Sequence, residues 1–228
     1  MHYDYKVKLN KVDSQQYRNL RIPEIDWVLC EAQELFVKLV AKPRVLNALG
    51  FETSQRTIDD IRTIVVKDLY IPIVNKTAAL PENYLHFISG ETLMEKGSCK
   101  DVRSIVKVRQ HDDEFEKSPF DNSSFEWREV NAVFYEDGVK FFDDGTFTNT
   151  EFCMNYLKKL RYIHNAEDYG NGTYTLPSGV VLTGSVDCEL PEQTHREIVD
   201  IAVALTVGNL QDSDFQSKVQ KLGLNKLG

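Results

Sequence analysis

The hydrophobic period of this chain changes twice, and that change limits the fold more than any single residue does. Ile25, Val28, Leu29, Ala32, Leu35, Phe36 and Leu39 recur at spacings of three and four, the stripe of an α-helix. Between about 100 and 187 the period falls to two, with turn residues between the runs. Ile198, Ile201, Ala202 and Leu205 then restore the helical stripe. Helices and strands segregated in this way give an α+β fold rather than alternating β-α-β units. The expected architecture is N- and C-terminal helices packed with a central antiparallel β-rich part, either a small sheet or a barrel. One domain is expected over 1–228, helical over 20–50, β-rich over 100–187, helical over 190–223, with a tail at 224–228.

Punctuation sets the element ends. Pro23 suits the first turn of the first long helix, where a missing N–H costs nothing, and Glu24 and Asp26 favour its positive end. Pro43 breaks that helix, and a short one follows from Pro43 to Leu49 with Gly50 as its left-handed cap. Thr57 with Asp60 resembles a helix start, after which Ile64-Val65-Val66 reads as a strand. Leu80-Pro81-Glu82 opens a short helical turn carrying Tyr84, Leu85, Phe87 and Ile88. The same triplet returns as Leu190-Pro191-Glu192 and opens the long C-terminal helix. Its Glu192, Arg196, Glu197 and Asp200 face away from the buried stripe, and Gly208 ends it. A last helix starts at Asp212 or Ser213, packs Phe215, Val219 and Leu222, and stops at Gly223.

In the middle, Val102, Ile105, Val106 and Val108 predict a strand ending at His111-Asp112-Asp113-Glu114. Val130–Tyr135, Glu136-Asp137-Gly138 and Val139–Phe142 read as strand, turn, strand, the Asp-Gly pair supplying the positive φ of a tight hairpin. Asp144-Gly145 and Asn171-Gly172 repeat the device, the latter ahead of Thr173-Tyr174-Thr175. Phe115 to Trp127, with Pro119 and two serines, is a long loop.

Composition narrows the function. Apolar residues make up 42% and charged residues 27%, the profile of an ordinary globular protein. A net charge of −8 argues against a globally basic nucleic-acid binder. The acidity is local: residues 1–67 hold 11 Lys and Arg against 9 Asp and Glu, or +2, and residues 100–151 hold 7 against 13, or −6. No uncharged apolar run approaches about 18 residues, so no membrane span is expected. Met-His-Tyr-Asp-Tyr-Lys lacks the apolar core of a signal peptide, so synthesis in a cytosol with reduced thiols is expected. Cys30, Cys99, Cys153 and Cys188 form no CxxC pair and read as buried thiols. The Asn-x-Ser/Thr triplets at Asn75, Asn122 and Asn171 are read as chance.

No catalytic constellation emerges. GxxxxGK[ST] and GxSxG are absent, and Gly170-Asn171-Gly172 is better read as a hairpin turn than as a phosphate loop. His2, His86, His111, His164 and His195 form no HxH or HxxxH pair. His111 beside Asp112, Asp113 and Glu114 reads as a solvated acidic loop, since neighbours in a strand or loop point in different directions. Asp143-Asp144-Gly145 is a turn that lacks the other ligands of a calcium loop. His195 reads as a satisfied surface or interface histidine rather than a base. The expectation is a protein that works through surfaces, not an enzyme, with no catalytic residue, metal or cofactor.

The run Glu189–Val203, with its Leu-Pro-Glu, His, Glu-Ile-Val and Ala-Val positions, resembles the last helix of a group of structural proteins of tailed bacteriophages. Val108–Asp113 followed by Ser118-Pro119-Phe120-Asp121 is similar to that family's acidic run and proline-phenylalanine loop. Val133–Asp137 and Asn155–Ile163 resemble its two central strands, and order and spacing agree over about residues 20–210. Lys159-Leu160-Arg161 departs from the proline-leading strand often seen there. The likeness is strongest to ring proteins of crAss-like phages. It implies a head-to-tail connector at the portal vertex of the virion, an adaptor ring of twelve copies lining the DNA exit channel. The implied partners are its own copies, the portal protein, neighbouring tail rings, and genomic DNA that slides past without specific binding; no membrane is involved.

Under that reading, Gln211 to Gly228 docks on a partner through Phe215, Val219, Leu222, Leu224 and Leu227, or else those residues cover the chain's own core. Phe115 to Trp127, with Phe120 and Phe125, is a second candidate arm. The acidic middle is expected to face the channel, where like charge lets DNA pass. Two other functions stay open: a hydrolase acting on nucleotides or saccharides, which needs a pocket with convergent carboxylates, and a carbohydrate-binding tail or head-fibre module.

Overall fold

A computed structural model of the protein describes residues 1–12, 20–41, 59–111, 122–136 and 138–209. The chain is α+β, with helices towards both ends and strands in the middle, and it divides into two compact units. One joins Met1–Ile64 to Leu160–Gly228, and the other is the continuous stretch Val65–Lys159. The expectation of a single domain thus meets a chain in which the β unit is inserted between the two halves of a helical one.

The β unit holds β1 (Val65–Pro72), β2 (Thr77–Ala78), β3 (Tyr84–Lys96), β4 (Cys99–Val108), β5 (Glu129–Tyr135), β6 (Gly138–Phe142) and β7 (Thr148–Lys158). They form one seven-stranded sheet in the order β1-β7-β3-β4-β5-β6-β2. Its two edge strands are consecutive in the chain, joined through a bridge between Val74 and Thr77. A flat sheet of this width would hold its edges about 29 Å apart, from six spacings of about 4.8 Å. The five steps from Pro72 to Thr77 reach about 18 Å at most. The sheet is therefore curled into a half-barrel (the barrel, below), intermediate between the sheet and the closed barrel expected.

Side chains from every strand fill its inside: Ala78, Met94, Val106, Val130, Ala132, Val139, Phe141, Phe152, Met154 and Tyr156 are buried, with Val66, Leu69 and Ile71 packed against them. Gly138, with φ of 146°, opens β6, with Tyr135 as its cross-strand partner. Its hydrogen faces β2: a Cβ there would sit 2.3 Å from the Ala78 carbonyl oxygen. Glycine is needed at 138 for the close approach of β2 at the seam as well as for the hairpin.

Two expectations change here. Leu80-Pro81-Glu82 opens no helix. Tyr84 N donates to Pro81 O at 2.9 Å, closing a single turn, and β3 then pairs with β7 from Tyr84 to Glu95. The apolar cluster at 84–88 fits one helical turn as well as a strand, but so short a helix is marginal alone, whereas the ladder satisfies the whole segment. The sheet is also not wholly antiparallel, because β4 and β5 run parallel from Ile105↔Glu129 to Val108↔Ala132. The predicted strands at 102–108, 130–135 and 139–142 are present as β4, β5 and β6.

The helical unit holds α1 (His2–Val12), α2 (Ile22–Ala41) and α3 (Glu192–Asn209), with two small antiparallel pairs. In these, β8 (His164–Asn165) pairs with β11 (Ser185–Val186), and β9 (Thr173–Thr175) with β10 (Val181–Thr183). Pro23 lies in the first turn of α2, and Arg21 N donates to the Glu24 carboxylate at 2.8 Å, half of a capping box. The stripe is buried as expected at Ile25, Val28, Leu29, Ala32 and Phe36. At the start of α3, Thr194 Oγ1 donates to Pro191 O at 2.7 Å. The helix buries Ile198, Val199, Ile201, Ala202, Val203, Ala204 and Val207, wider than one stripe, and ends one residue past Gly208. The predicted helices at 43–49 and 212–223 lie outside the described residues.

Candidate interaction surfaces

Two places carry side chains in unusual arrangements, one in each unit. In the helical unit, Asp26 is fully buried. Its Oδ1 meets His2 Nε2, while its Oδ2 accepts from Tyr174 Oη at 2.5 Å and from Asn165 N at 3.2 Å. A buried carboxylate is tolerated when paired and hydrogen-bonded in this way. His2 belongs to α1, which makes two more attachments along the same face. Tyr5 Oη and Thr206 Oγ1 lie 2.6 Å apart, both buried. Lys8 Nζ pairs with the Asp200 carboxylate and donates to Arg196 O at 3.3 Å. Tyr5 and Leu9 supply the apolar contact. α1 is therefore seated on α2 and α3 by an imidazole–carboxylate contact and an ammonium–carboxylate pair, with a hydroxyl pair between them.

The surroundings keep protons on. Burial pushes the Cys30 thiol up to about 12, although Ile163 N donates to its Sγ at 3.1 Å. Burial, then Cys30 and Asp26, pushes Tyr162 up to about 12. Tyr174 is also raised, first by burial and then by the hydrogen bond it gives Asp26. Burial raises Cys188, whose thiol lies 3.7 Å from Gln33 Oε1. These are neutral donors, not nucleophiles.

In the β unit the register aligns Tyr70, Cys153, Glu91, Ile105 and Glu129 across β1, β7, β3, β4 and β5. Cross-strand partners share a face, and this row faces outward: Tyr70 is 51% and Ile105 62% exposed. Lys107 Nζ pairs with Glu129 at 2.6 Å, and Arg103 lies 3.9 Å from Glu91. Ile105 N donates to Arg128 O at 2.9 Å, and the residue before that carbonyl, Trp127, is 82% exposed. The result is a mixed outward row, in which Cys153 and Glu91 separate the exposed side chains of Tyr70 and Ile105. Tyr70 is raised chiefly by its hydrogen bond with Cys153, and burial raises Cys153.

Phe215, Val219, Leu222, Leu224, Leu227 and Phe120 lie outside the described residues. Phe125 sits in the turn before β5, part-buried against the barrel core, its ring 6.3 Å from Phe147 with Lys96 Nζ 5.3 Å above it. His111 lies edge-on to Tyr135 at 5.0 Å. His195 bonds Leu190 O at 2.9 Å, the satisfied state expected of it. Asp143 and Asp144 accept turn hydrogen bonds from Gly145 and Thr146, and Lys76 pairs with Asp143 at 2.9 Å. Among the described residues there is no group of three or more His, Cys, Asp and Glu placed to hold a metal ion. No described helix is long and apolar enough to cross a membrane. The cysteines are free, but only Cys30 is fully buried and Cys99 is exposed, so the expectation of buried thiols holds at one position.

The sequence reading missed the α1 seat. Asp26 was credited only with favouring the positive end of α2. The available signal was its register: Asp26 and Gln33 are seven apart and fall among Ile25, Leu29, Cys30, Phe36 and Val37 on the buried face. A polar residue in phase with an apolar stripe needs a partner. α1 is hard to see in sequence because, among its described side chains, the buried apolar ones are Tyr5 and Leu9.

No family model matches the chain, and no curated protein matches it.

Proposed function

We propose that the protein is a structural component of a tailed-phage virion, an adaptor ring of twelve copies joining the portal to the tail around the DNA exit channel. The resemblance in Glu189–Val203 and the middle strands motivates the reading, and the observation that carries it is the outward row on the barrel. Exposed Tyr70 and Ile105 share this row with Glu91 and Glu129, which pair with Arg103 and Lys107, and exposed Trp127 precedes Arg128, whose carbonyl accepts from Ile105 N. Exposed Tyr and Trp side chains are enriched in protein–protein contacts. The surplus of acids in residues 100–151 supports a channel that DNA passes without adhering.

Native mass spectrometry of the protein alone and with portal added tests the reading. A portal-bound complex with about twelve copies, the symmetry assumed for a closed ring, is the expected result. A protein that stays monomeric or trimeric and ignores portal would overturn it and return the hydrolase and fibre functions to the front.

A further inference from the structure

We propose that the α1 seat is the contact through which neighbouring copies are joined: in the ring, each copy lays its α1 across α2 and α3 of the next. The inference rests on the ring reading and names the surface it would use. His2, Tyr5, Lys8 and Leu9 lie on one face of α1, at spacings of three, three and one. Each meets a complementary group or the core: His2 meets Asp26, Tyr5 meets Thr206, Lys8 meets Asp200, and Leu9 is buried. On this face the helix presents an imidazole and an ammonium group, and the seat meets each with a carboxylate.

Every attachment is made by a side chain, so none depends on α1 being continuous with the α2 it touches. The same short helix from another copy satisfies the seat equally well. An empty seat is the costly state, because it leaves fully buried Asp26 without its His2 partner. Alone, an 11-residue helix is marginal in water, so α1 also needs a seat. The ten steps from Val12 to Ile22 reach about 35 Å at most, enough to pass to an adjoining copy.

The geometry also suits a ring. Helix and seat are different surfaces of one chain, so giving one and receiving the other is a head-to-tail contact. Repeated contacts of that kind close into a ring when the rotation allows. A self-matching patch would stop at a dimer.

Lys8 and Asp200 are in direct contact, so a carbodiimide condenses amine and carboxylate to an amide with no spacer. Unlabelled and heavy-isotope-labelled full-length chains are mixed as monomers, assembled on portal, coupled and digested. Exchange predicts Lys8–Asp200 peptide pairs of mixed isotope in the ring, in amounts comparable with same-isotope pairs, and only same-isotope pairs in the free protein. A ring of the expected mass containing only same-isotope pairs would overturn the exchange and leave the ring reading standing. A chain that never assembles, seen by native mass, overturns both. Failure to couple Lys8 to Asp200 at all, judged against a Lys8→Arg blank, would show that α1 does not occupy this seat and also overturns the exchange.

Discussion

The two units bury different chemistry. Among the described residues of the barrel, the buried polar residues Thr92, Ser104, Ser123 and Asn131 do not ionise, the one enclosed carboxylate of Asp143 is paired with exposed Lys76 at the rim, and Thr92 bonds Ser104 at 2.5 Å between neighbouring strands. In the helical unit they include Asp26, Asp60 and His164 alongside Gln33, Thr194 and Thr206. The barrel is therefore specified by the fit of Phe141, Phe152, Met94 and Met154, and the helical unit by which donor meets which acceptor. Shape fails when volume is removed. Wiring fails when a partner or a proton is removed.

The largest expected effect is on shape. Phe152 is fully buried, its ring 5.0 Å from that of Phe141, so Phe152→Ala should cost about 3–5 kcal/mol in denaturant unfolding. The loss should appear first as faster amide exchange in β3 and β7; a cost under about 1 kcal/mol would mean the barrel is not packed as described.

Next comes wiring. Asp26→Ala strips Tyr174, His2 and Asn165 N of one acceptor, and about 3 kcal/mol should be lost from the helical unit with α1 released to exchange. Unchanged protection of α1 in the variant would contradict the seat.

Alkaline pH should then separate the units without mutation. Cys30 is raised from 9.0, and Tyr162 and Tyr174 from 10.0, all three in the helical unit. Each is an acid that folding keeps protonated, so above its unfolded value the unfolded chain binds fewer protons than the native one. Stability is complete below about pH 9 and falls as pH rises towards 12. Amides of α2 and β9 should lose protection before those of the barrel core, where the raised tyrosines, Tyr70 and Tyr84, are exposed or only part-buried. Simultaneous loss in both units would erase the contrast.

The smallest effect is that of Tyr5→Phe, which keeps the ring but removes the hydroxyl facing Thr206, for about 1 kcal/mol. Thr206 also bonds Ala202 O at 2.9 Å, which limits the damage. A loss several times larger would mean that this hydroxyl holds more than the one contact.

What the sequence disclosed follows the same division. Local, repeated signals were readable: the stripe of α2, the period-two runs of β4, β5 and β6, and chain reversals at Gly145 and Gly172, although neither is the hairpin expected, because the strands that flank each do not pair. Pairings between distant residues were not. Nothing in Ile105 or Glu129 announces that their strands run parallel, and the helical look of 84–88 was overruled by β7, some 70 positions away. The outward row on the barrel exists only because five strands set their residues level. The α1 seat joins residues 2, 26, 174 and 206, a grouping that no window of sequence contains.

The insertion of one unit within the other also sets a timetable. A ribosome releases α1 and α2 first, then the whole barrel from Val65 to Lys159, and α3 last. The last strand of the barrel, β7, pairs with both β1 and β3, so the sheet is incomplete until β7 has emerged. The helical unit waits longer still: α1 and α2 emerge some 150 positions ahead of α3, the helix that carries Thr206 and Asp200. A newborn chain therefore passes through a stage with a finished barrel and an unmatched pair of helices.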